Sequence, residues 1–481
     1  MIVEYGRRGN MFSKGLKLSI ALSLSIAALL TSSVHAEEIQ KQRLYGSFKS
    51  VSKNIENALG GAKEAVDLKT KAQSFVTNLA NKNIDAVVQE FNSDLKNEGG
   101  INNLKEYLKT FQFKGVDLKP SSIKETPAAA GTCVTLTYKL TGYTQTVDAN
   151  IKFDSDGKVY DAAFGNTPGK SSYKLPSYAN MTSFTEKDVL IGSGKYKLPG
   201  VLSIPSGKGP FPAVVLVHGS GANDKDESIY DNKVFRDISA GLASRGIAVL
   251  RYDKRTKEYG LLAFADLKFD LNKETVNDAV DAVNLLKKTN GIDPKRIFVL
   301  GHSQGAMLTS SIIKDCGDNG AAGGIMMAGP VNFFDTLIDQ YKYLNSIKMA
   351  SDDDFKSIEK ICSTIQNKDF PGSIPENTSI FNAYPYYWMS MKNAAYIDDA
   401  KSIKAPLLIL QGKRDYQVNS SNLDKWKTIL KGKNNVQYNS YDKLTHLFLE
   451  GEGQMTPVEY MKPQNVPDYV INDITNWIVK H

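Results

Sequence analysis

Apolar and polar positions follow two different patterns along this chain, and the pattern changes near residue 170. Upstream, apolar residues recur at helical spacing, and one predicted face consists of Ile84, Val87, Val88 and Phe91. After residue 130, short apolar runs at 133–138 and 146–151 predict strands. Helices followed by antiparallel strands indicate a small α+β accessory domain over residues 37–167, which we expect to be structural or ligand-presenting.

Beyond residue 185, short apolar runs alternate with helical patterns. The runs 213–217 and 297–300 read as fully buried strands. This alternation predicts the α/β class, with a mostly parallel sheet flanked by helices. We therefore expect a linker at 168–184 and a catalytic domain at 185–481, with a helical lid inserted at about 330–404.

A Gly-x-Ser-x-Gly motif follows one of these predicted strands. It reads Gly301-His302-Ser303-Gln304-Gly305, and a helical pattern comes after it. A strand, a sharp turn and a helix are the context of a nucleophile elbow, which holds a serine hydroxyl clear of the sheet. The motif predicts Ser303 as a catalytic nucleophile.

A serine nucleophile needs a histidine base and an acid that orients the histidine. The chain has five histidines. Four of them are excluded by position. His35 lies in the N-terminal segment, His218 lies in a glycine loop, His302 lies beside the nucleophile, and His481 is the last residue. His446 remains as the predicted base.

The acid is expected between the serine and the histidine, on the loop after a late strand. Asp415 meets both conditions, since it follows the apolar run 405–412. Asp442 is nearer to His446 in sequence and stays open as an alternative, although it also reads as a turn residue. Asp253 precedes the serine and is expected to be structural.

A second glycine loop follows the predicted strand 212–217 and reads His218-Gly219-Ser220-Gly221. Loops of this kind supply one main-chain N–H for an oxyanion, and the residue after the nucleophile supplies the other. We assign the two donors to the main-chain N–H groups of Ser220 and Gln304. Asp224 and Asp226, just past this loop, could contact a polar substrate, but solvation in the loop is the favoured expectation.

Together these motifs resemble an α/β-hydrolase of the dienelactone-hydrolase-like serine esterase group. The segments that carry the resemblance are 218–221 with Asn223 and Asp224, then 251–255, 301–305 and 411–418. The resemblance implies an α/β-hydrolase fold and hydrolysis of esters through an acyl-enzyme. Typical members of the group use cysteine as nucleophile, so the serine here argues against a dienelactone substrate. The accessory region resembles a small domain of unknown function with a nuclear-transport-factor-like shape.

An aromatic cluster, Tyr384-Pro385-Tyr386-Tyr387-Trp388, lies within the predicted lid. It serves either to pack the lid on the catalytic domain or to form an apolar wall for the acyl or alcohol part of a substrate. Tyr384, Tyr387 and Trp388 are accordingly the candidate substrate-binding residues.

The first 36 residues read as a secretory signal peptide, with basic residues ahead of the apolar stretch 16–30 and a small-residue cleavage site at Ala36. This predicts a secreted or periplasmic protein without stable membrane association after cleavage. The alternative is an uncleaved membrane anchor, because the apolar stretch is only slightly short of a spanning helix.

Composition and residue spacing limit the classes of partner that the chain is expected to bind. The net charge of +7 includes four basic residues and one acidic residue of the predicted signal, so the remainder is only mildly basic and does not indicate nucleic-acid binding. No His or Cys spacing predicts a metal site, and no glycine loop fits a cofactor phosphate, so we expect a small-molecule ester as partner. Cys316 and Cys362 could form a disulfide in an oxidising compartment.

Two other functions stay open. The same three side chains serve thioester and peptide hydrolysis equally well, although the absence of a propeller-like repeat argues against an oligopeptidase. The remaining alternative is an exported binding protein whose accessory domain is functional and whose hydrolase is inactive. Sequence leaves the natural substrate, the acyl chain length and the oligomeric state undetermined.

Overall fold

The computed structural model describes residues 67–317 and 320–481. The predicted signal peptide, residues 1–36, lies outside the described residues. Among the helices described, none is both long and apolar enough to cross a bilayer.

Within the described residues, the accessory domain consists of four helices followed by four strands, and the order of helices before strands is the one its apolar pattern predicts. The helices are α1 (Leu68–Ala80), α2 (Ile84–Gln89), α3 (Ser93–Asn97) and α4 (Ile101–Thr110). The strands are β1 (Ser122–Ala128), β2 (Gly131–Lys139), β3 (Thr146–Asp154) and β4 (Val159–Asn166), and they form an antiparallel sheet in sequential order. Helix α1 packs Phe75, Val76 and Leu79 into a core shared with Leu136 and Ile151 of the sheet.

The catalytic domain is built on an eight-stranded sheet. Its strands are β5 (Phe184–Ile191), β6 (Leu198–Pro205), β7 (Phe211–Val217), β10 (Ala248–Tyr252), β11 (Ile292–His302), β12 (Gly323–Met327), β13 (Leu407–Gly412) and β14 (Val436–Tyr441). Their order across the sheet is β14-β13-β12-β11-β7-β10-β6-β5. Strands β5 and β6 pair antiparallel, as do β6 and β10, whereas the remaining pairs are parallel. A two-residue pair, β8 (Ser228–Ile229) and β9 (Asn232–Lys233), lies in the loop after β7.

Helices separate these strands, as the alternating pattern predicts. They are α5 (Val234–Ala243), α6 (Arg255–Glu258), α7 (Gly260–Ala265), α8 (Asn277–Lys287), α9 (Gln304–Asp315), α14 (Ser421–Ile429) and α15 (Asp468–Lys480). A π-helical segment, Asn272–Val276, leads into α8, and a 3₁₀ turn, Pro457–Met461, precedes α15. Helix α5 packs against α15, and α8 packs against α9.

Between β12 and β13 the chain forms a helical insert, at the position predicted for the lid. Its helices are α10 (Phe333–Ser346), α11 (Asp352–Gln366), α12 (Pro385–Lys392) and α13 (Tyr396–Ser402). Helix α13 packs on α9, the helix that follows the nucleophile motif. Cys316 and Cys362 are free thiols, one at the end of α9 and the other buried in α11, so a disulfide between them is absent.

The accessory domain contacts the catalytic domain through buried charges. The ammonium of Lys152 on β3 lies 3.2 Å from a carboxylate oxygen of Asp161 and 3.1 Å from one of Glu258. Between Asn166 and Phe184 the chain has no helix or strand. This segment still packs on the catalytic domain, where the hydroxyl of Tyr178 donates to the Val466 carbonyl at 2.6 Å.

Candidate active site

The elbow forms where β11 meets α9. Ser303 has φ 54° and ψ −117°, a strained conformation for a residue with a side chain, and its N–H donates to the Met327 carbonyl at 2.9 Å. A Cβ on Gly301 would lie 2.2 Å from the Gly305 carbonyl oxygen, and a Cβ on Gly305 would lie 2.2 Å from the Val217 carbonyl oxygen. The two glycines therefore let the turn approach its neighbours closely enough to hold this conformation.

The predicted base and acid are hydrogen-bonded. The Nδ1 atom of His446 lies 2.8 Å from Oδ2 of Asp415, and both side chains are almost completely buried. The other carboxylate oxygen of Asp415 accepts main-chain N–H groups from Gln417 at 2.9 Å and Val418 at 2.8 Å. A carboxylate only accepts hydrogen bonds, so Nδ1 of His446 carries the hydrogen and Nε2 keeps a lone pair.

The two alternative acids lie elsewhere. Asp442 pairs with Lys413 at 2.6 Å, and its side chain is 80% exposed. Asp253 follows β10 and accepts a hydrogen bond at 2.7 Å from the main-chain N–H of Lys225, which lies in the loop after β7. Only Asp415, of these three carboxylates, contacts the imidazole of His446.

One cavity of about 410 Å³ brings the candidate residues together. Ser303 and His446 line it with Ser220 and Gln304, the residues expected to stabilise an oxyanion. The rest of the lining comes from the lid and from the loop after β13: Pro330, Phe333, Thr336, Leu337, Gln340, Gln417 and Val418. Parallel strands open their loops at one edge of the sheet, and this geometry explains why residues so far apart in sequence meet there.

The glycine loop after β7 lies beside the serine, and one of its N–H groups is bonded within the loop. The N–H of Gly219 donates to the Glu227 carboxylate at 2.8 Å, so the loop itself uses that group. A Cβ on Gly219 would lie 3.1 Å from Cβ of Ser303, which places the loop directly beside the nucleophile. Ser220 is next in the chain and lines the cavity. Gln304 is the first residue of α9, and such an N–H has no acceptor within its own helix.

Two histidines that sequence excludes as the base have other partners. His302 places Nδ1 3.0 Å from the Glu227 carboxylate and Nε2 2.9 Å from the carbonyl of His446. Burial opposes charge on His302, but the Glu227 carboxylate raises its pKa, and that pKa shift favours an imidazolium that forms an ion pair with Glu227 and donates from Nε2 to the His446 carbonyl. Burial lowers the pKa of His218 to about 4, and its Nε2 contacts the Asp224 carbonyl at 3.0 Å.

The expectation that Asp224 and Asp226 are solvated in the loop is wrong. The carboxylate of Asp226 lies 2.6 Å from the guanidinium of Arg251 and 3.0 Å from the ammonium of Lys233. The carboxylate of Asp224 accepts the main-chain N–H groups of Asp226 and Ser228. The loop is therefore held by internal ion pairs and hydrogen bonds, because its main chain must keep a fixed path beside the serine.

A buried polar network beneath the glycine loop was not predicted. The ammonium of Lys254 lies 2.8 Å from Glu274, 3.0 Å from the side-chain oxygen of Gln304 and 2.7 Å from the Gly219 carbonyl. The hydroxyl of Tyr387 donates to Glu274 at 2.7 Å and accepts from the Gln304 amide at 2.9 Å. Burial, with the Glu274 carboxylate nearby, raises the pKa of Tyr387 well above its usual value.

The three candidate substrate-binding residues line a larger cavity of about 800 Å³. Tyr384, Tyr387 and Trp388 face it with four phenylalanines: Phe264, Phe269, Phe333 and Phe381. Ser220 and Phe333 line both cavities, so the aromatic cavity adjoins the one that contains Ser303. Trp388 also donates its indole N–H to the Ile380 carbonyl at 2.8 Å and packs against Phe333, so the cluster both lines the cavity and packs the lid.

The fold and this site define an α/β-hydrolase with a serine at its nucleophile elbow. Residues 234–481 match the prolyl oligopeptidase family, and the chain belongs to that family. It is 40% identical over 336 residues to Esterase EstD of Thermotoga maritima, a match that spans 69% of this chain and 77% of that protein.

Solved esterase structures show weaker similarity. The Pyrococcus furiosus esterase Pf2001 is 17% identical, with a TM-score of 0.41, over 66% of this chain and 99% of that one. Est1E from Butyrivibrio proteoclasticus is 14% identical, with a TM-score of 0.39, over 61% of this chain and 99% of that one. The narrower assignment to the dienelactone-hydrolase-like group, and the nuclear-transport-factor-like shape of the accessory domain, stay predictions.

Proposed function

We propose that this enzyme is an exported serine esterase that cleaves small-molecule carboxylic esters through an acyl-enzyme intermediate. The observation that carries the proposal is the hydrogen bond between His446 and Asp415 at the cavity lined by Ser303. The relationship to Esterase EstD, at 40% identity, supports an ester as the bond that is cleaved.

The first half of the reaction forms the acyl-enzyme. Oγ of Ser303 attacks the ester carbonyl carbon while Nε2 of His446 takes the hydroxyl proton. Asp415 stabilises the resulting imidazolium without taking the proton itself. The negative charge that develops on the carbonyl oxygen accepts hydrogen bonds from the main-chain N–H groups of Ser220 and Gln304.

The second half releases both products. His446 returns its proton to the leaving alkoxide, the carbon–oxygen bond to the alcohol breaks, and the acyl group stays on Ser303. Water then attacks the acyl carbon, with His446 as base, and the carboxylic acid leaves as the serine hydroxyl is restored. The same two N–H groups stabilise both tetrahedral intermediates.

The aromatic cavity supports a role in substrate binding for Tyr384, Tyr387 and Trp388. Most of its walls are aromatic or otherwise apolar, although Glu274 also lines it, and Ser220 belongs to its lining. We propose that it takes the apolar acyl or alcohol part of the ester, because burial of apolar surface there favours binding. The serine in place of cysteine agrees with ester rather than dienelactone hydrolysis.

The experiment is hydrolysis of p-nitrophenyl acetate, butyrate and octanoate by the wild type, Ser303→Ala and Ser357→Ala. Ser357 is an exposed serine of the lid and serves as the matched control. We expect Ser303→Ala to lose at least about 10⁴-fold in kcat and Ser357→Ala to match the wild type. Equal rates for wild type and Ser303→Ala would refute the proposed mechanism.

A second candidate is hydrolysis of thioesters or peptides by the same three side chains. The match to the prolyl oligopeptidase family is the observation that favours the peptide version. Against it, the accessory domain described here is a four-stranded sheet with helices rather than a propeller. Comparing kcat/KM for an ester, a thioester and an aminoacyl amide with the same acyl group decides among them, since the preferred leaving group gives the largest value.

Export is the part of the proposal that the N-terminal sequence supports. The basic residues, the apolar stretch 16–30 and the small residues ending at Ala36 together indicate signal cleavage. Mass spectrometry of the protein recovered from a secreting host is expected to give a chain that begins at Glu37. A full-length chain found only in the membrane fraction would support the uncleaved anchor instead.

A further inference from the structure

We propose that Lys254 is a positioning residue of the oxyanion hole, which orients and polarises the peptide group that carries the Ser220 N–H. The inference rests on the proposed function, since it takes Ser220 and Gln304 as the oxyanion donors. Nothing in the proposed acyl transfer itself uses Lys254, although its side chain is 2% exposed and its ammonium contacts the Gly219 carbonyl and the side chain of Gln304.

Lys254 contacts the peptide group that joins Gly219 to Ser220. The carbonyl of Gly219 and the N–H of Ser220 belong to the same planar unit and point in opposite directions. The ammonium of Lys254 donates to that carbonyl at 2.7 Å, and the Asn223 amide donates to it at 3.1 Å. Anchoring the carbonyl in this way fixes the direction of the N–H on the other side of the plane.

The ammonium of Lys254 also polarises this peptide group. A charged donor on the carbonyl oxygen draws electron density through the amide, so the N–H becomes a stronger donor. Lys254 therefore acts on the oxyanion through the amide rather than by contact. Its positive charge also lies in a buried region, where electrostatic effects are screened less than at the surface.

The same ammonium also contacts Gln304, the other residue taken as an oxyanion donor. It lies 3.0 Å from the side-chain oxygen of Gln304, whose amide nitrogen donates to Glu274 at 3.1 Å and to Tyr387 at 2.9 Å. The side chain of Gln304 is therefore fixed at both ends. One lysine thus contacts the carbonyl that shares a peptide group with the Ser220 N–H and also the side chain of Gln304.

The charge of Lys254 is balanced by Glu274, which lies 2.8 Å away and is also buried. An unpaired ammonium would be costly in this environment, and removal of one partner leaves the other charge uncompensated. Glu274 also accepts the hydroxyl of Tyr387 from helix α12 of the lid. The network therefore connects the lid to the glycine loop and to the elbow.

The experiment compares Lys254→Met with the double variant Lys254→Met/Glu274→Gln, which removes the unpaired carboxylate and so protects folding. The matched control is Lys314→Met, since Lys314 also pairs with a buried carboxylate, that of Asp399, and lies at the opposite end of α9 from Gln304. The readouts are kcat and KM for p-nitrophenyl butyrate, and inhibition by a trifluoromethyl ketone, which adds to the serine and forms an oxyanion.

We expect both Lys254 variants to lose about 10- to 100-fold in kcat with KM changed less than about threefold, because the interaction strengthens only as the oxyanion forms. The inhibition constant of the ketone should rise by the same factor as kcat falls. Lys314→Met should leave both values within about twofold of the wild type. A folded double variant with wild-type kcat and ketone affinity would overturn the inference, as would a loss confined to KM.

These outcomes are separable from failure of the proposed function. If Ser303→Ala retains wild-type activity, the acyl-enzyme mechanism itself is wrong, and the role of Lys254 falls with it. If Ser303→Ala is inactive but the Lys254 variants are not impaired, only the role of Lys254 is wrong.

A separate observation links the accessory domain to the aromatic cavity. Phe264 of α7 lines that cavity and lies 6.0 Å, between ring centroids, from Tyr384. On its other side, Phe264 packs against Tyr107 of the accessory domain at 5.1 Å. The main chain of α7 is also held from that domain, since Asp161 accepts the N–H of Leu261 at 3.0 Å.

We infer that the accessory domain determines substrate selectivity by fixing the cavity wall formed by α7, an inference that again rests on the proposed function. The test is Tyr107→Ala, with the exposed Tyr143→Ala on the same domain as control. The ratio of kcat/KM for p-nitrophenyl benzoate to that for acetate should change about fivefold or more in Tyr107→Ala only. An unchanged ratio in a folded Tyr107→Ala variant would contradict the inference without affecting the assignment of Ser303.

Discussion

The imidazole Nδ1 of His446 lies 2.8 Å from the Oδ2 atom of Asp415, although the two residues are 31 positions apart in sequence. Asp415 follows β13, and His446 follows β14. Because β13 and β14 are adjacent and parallel, both loops emerge at the same edge of the sheet. The pairing of these two strands therefore creates the contact between the imidazole and the carboxylate.

Loss of the Asp415 carboxylate should disable the base. In Asp415→Asn the amide can donate to Nδ1, which then carries no hydrogen, so Nε2 is protonated and cannot accept the serine proton. We expect kcat to fall about 10³- to 10⁴-fold with KM little changed. Steady-state kinetics with p-nitrophenyl butyrate measure this, and Asp442→Asn, at the exposed alternative, should retain wild-type activity.

The elbow should not tolerate a methyl group at its second glycine. In Gly305→Ala the added Cβ would lie 2.2 Å from the Val217 carbonyl and 2.6 Å from the His218 carbonyl, so two fixed main-chain segments would have to move apart. We expect a loss of about 3 kcal/mol in the free energy of unfolding, measured by urea denaturation. Gly165→Ala is the control, since its Cβ would meet nothing within 4 Å, and a similar loss there would refute the steric explanation.

The domain interface depends on a buried cation. Lys152→Met removes the ammonium that lies between Asp161 and Glu258 and leaves two carboxylates without it. We expect a loss of about 3–5 kcal/mol in the free energy of unfolding. Lys105→Met breaks an exposed pair with Asp85 and should cost less than about 1 kcal/mol. Comparable losses in the two variants would show that burial of the Lys152 pair is unimportant.

Stability should depend on pH through His302. Glu227 raises the pKa of His302 above 6.5, so the folded state holds this proton more tightly than the unfolded state. The contribution is fully present below pH 6.5 and is lost as pH rises through the folded pKa. The stability difference between wild type and His302→Gln should therefore shrink as the pH rises above 6.5. A difference that grows with pH, in urea unfolding curves, would contradict the protonated imidazole.

Much of the site follows from the sequence because chain order and strand endings constrain it. Ser303 and Asp415 each follow an apolar run, and parallel strands bring such positions to one edge, whereas His446 is reached by excluding the other four histidines. The position of the glycine loop can be predicted for the same reason, because it follows an apolar strand. That the Gly219 N–H is bonded to Glu227 required the structure, because Glu227 lies eight residues further along the loop and no spacing rule pairs the two.

The network around Lys254 could not be predicted in this way. Lys254 lies in the segment 251–255 that supports the family resemblance, but its partners come from a π-helical segment, the elbow and the lid. No spacing rule links Glu274 to Tyr387, since their contact depends on how the lid packs. Asp226 illustrates an incorrect prediction. A carboxylate in a loop is expected to be solvated, and only the structure shows that Arg251 pairs with it.

The most direct test of the whole account is covalent labelling of the folded wild-type protein with a fluorophosphonate, followed by mapping of the modified peptide by mass spectrometry. The reagent reacts only with a serine that a neighbouring base activates, so the account predicts one adduct, on Ser303, and no adduct in Ser303→Ala. An adduct on another residue, or no adduct on folded protein, would contradict it and would favour a binding protein whose hydrolase domain is inactive.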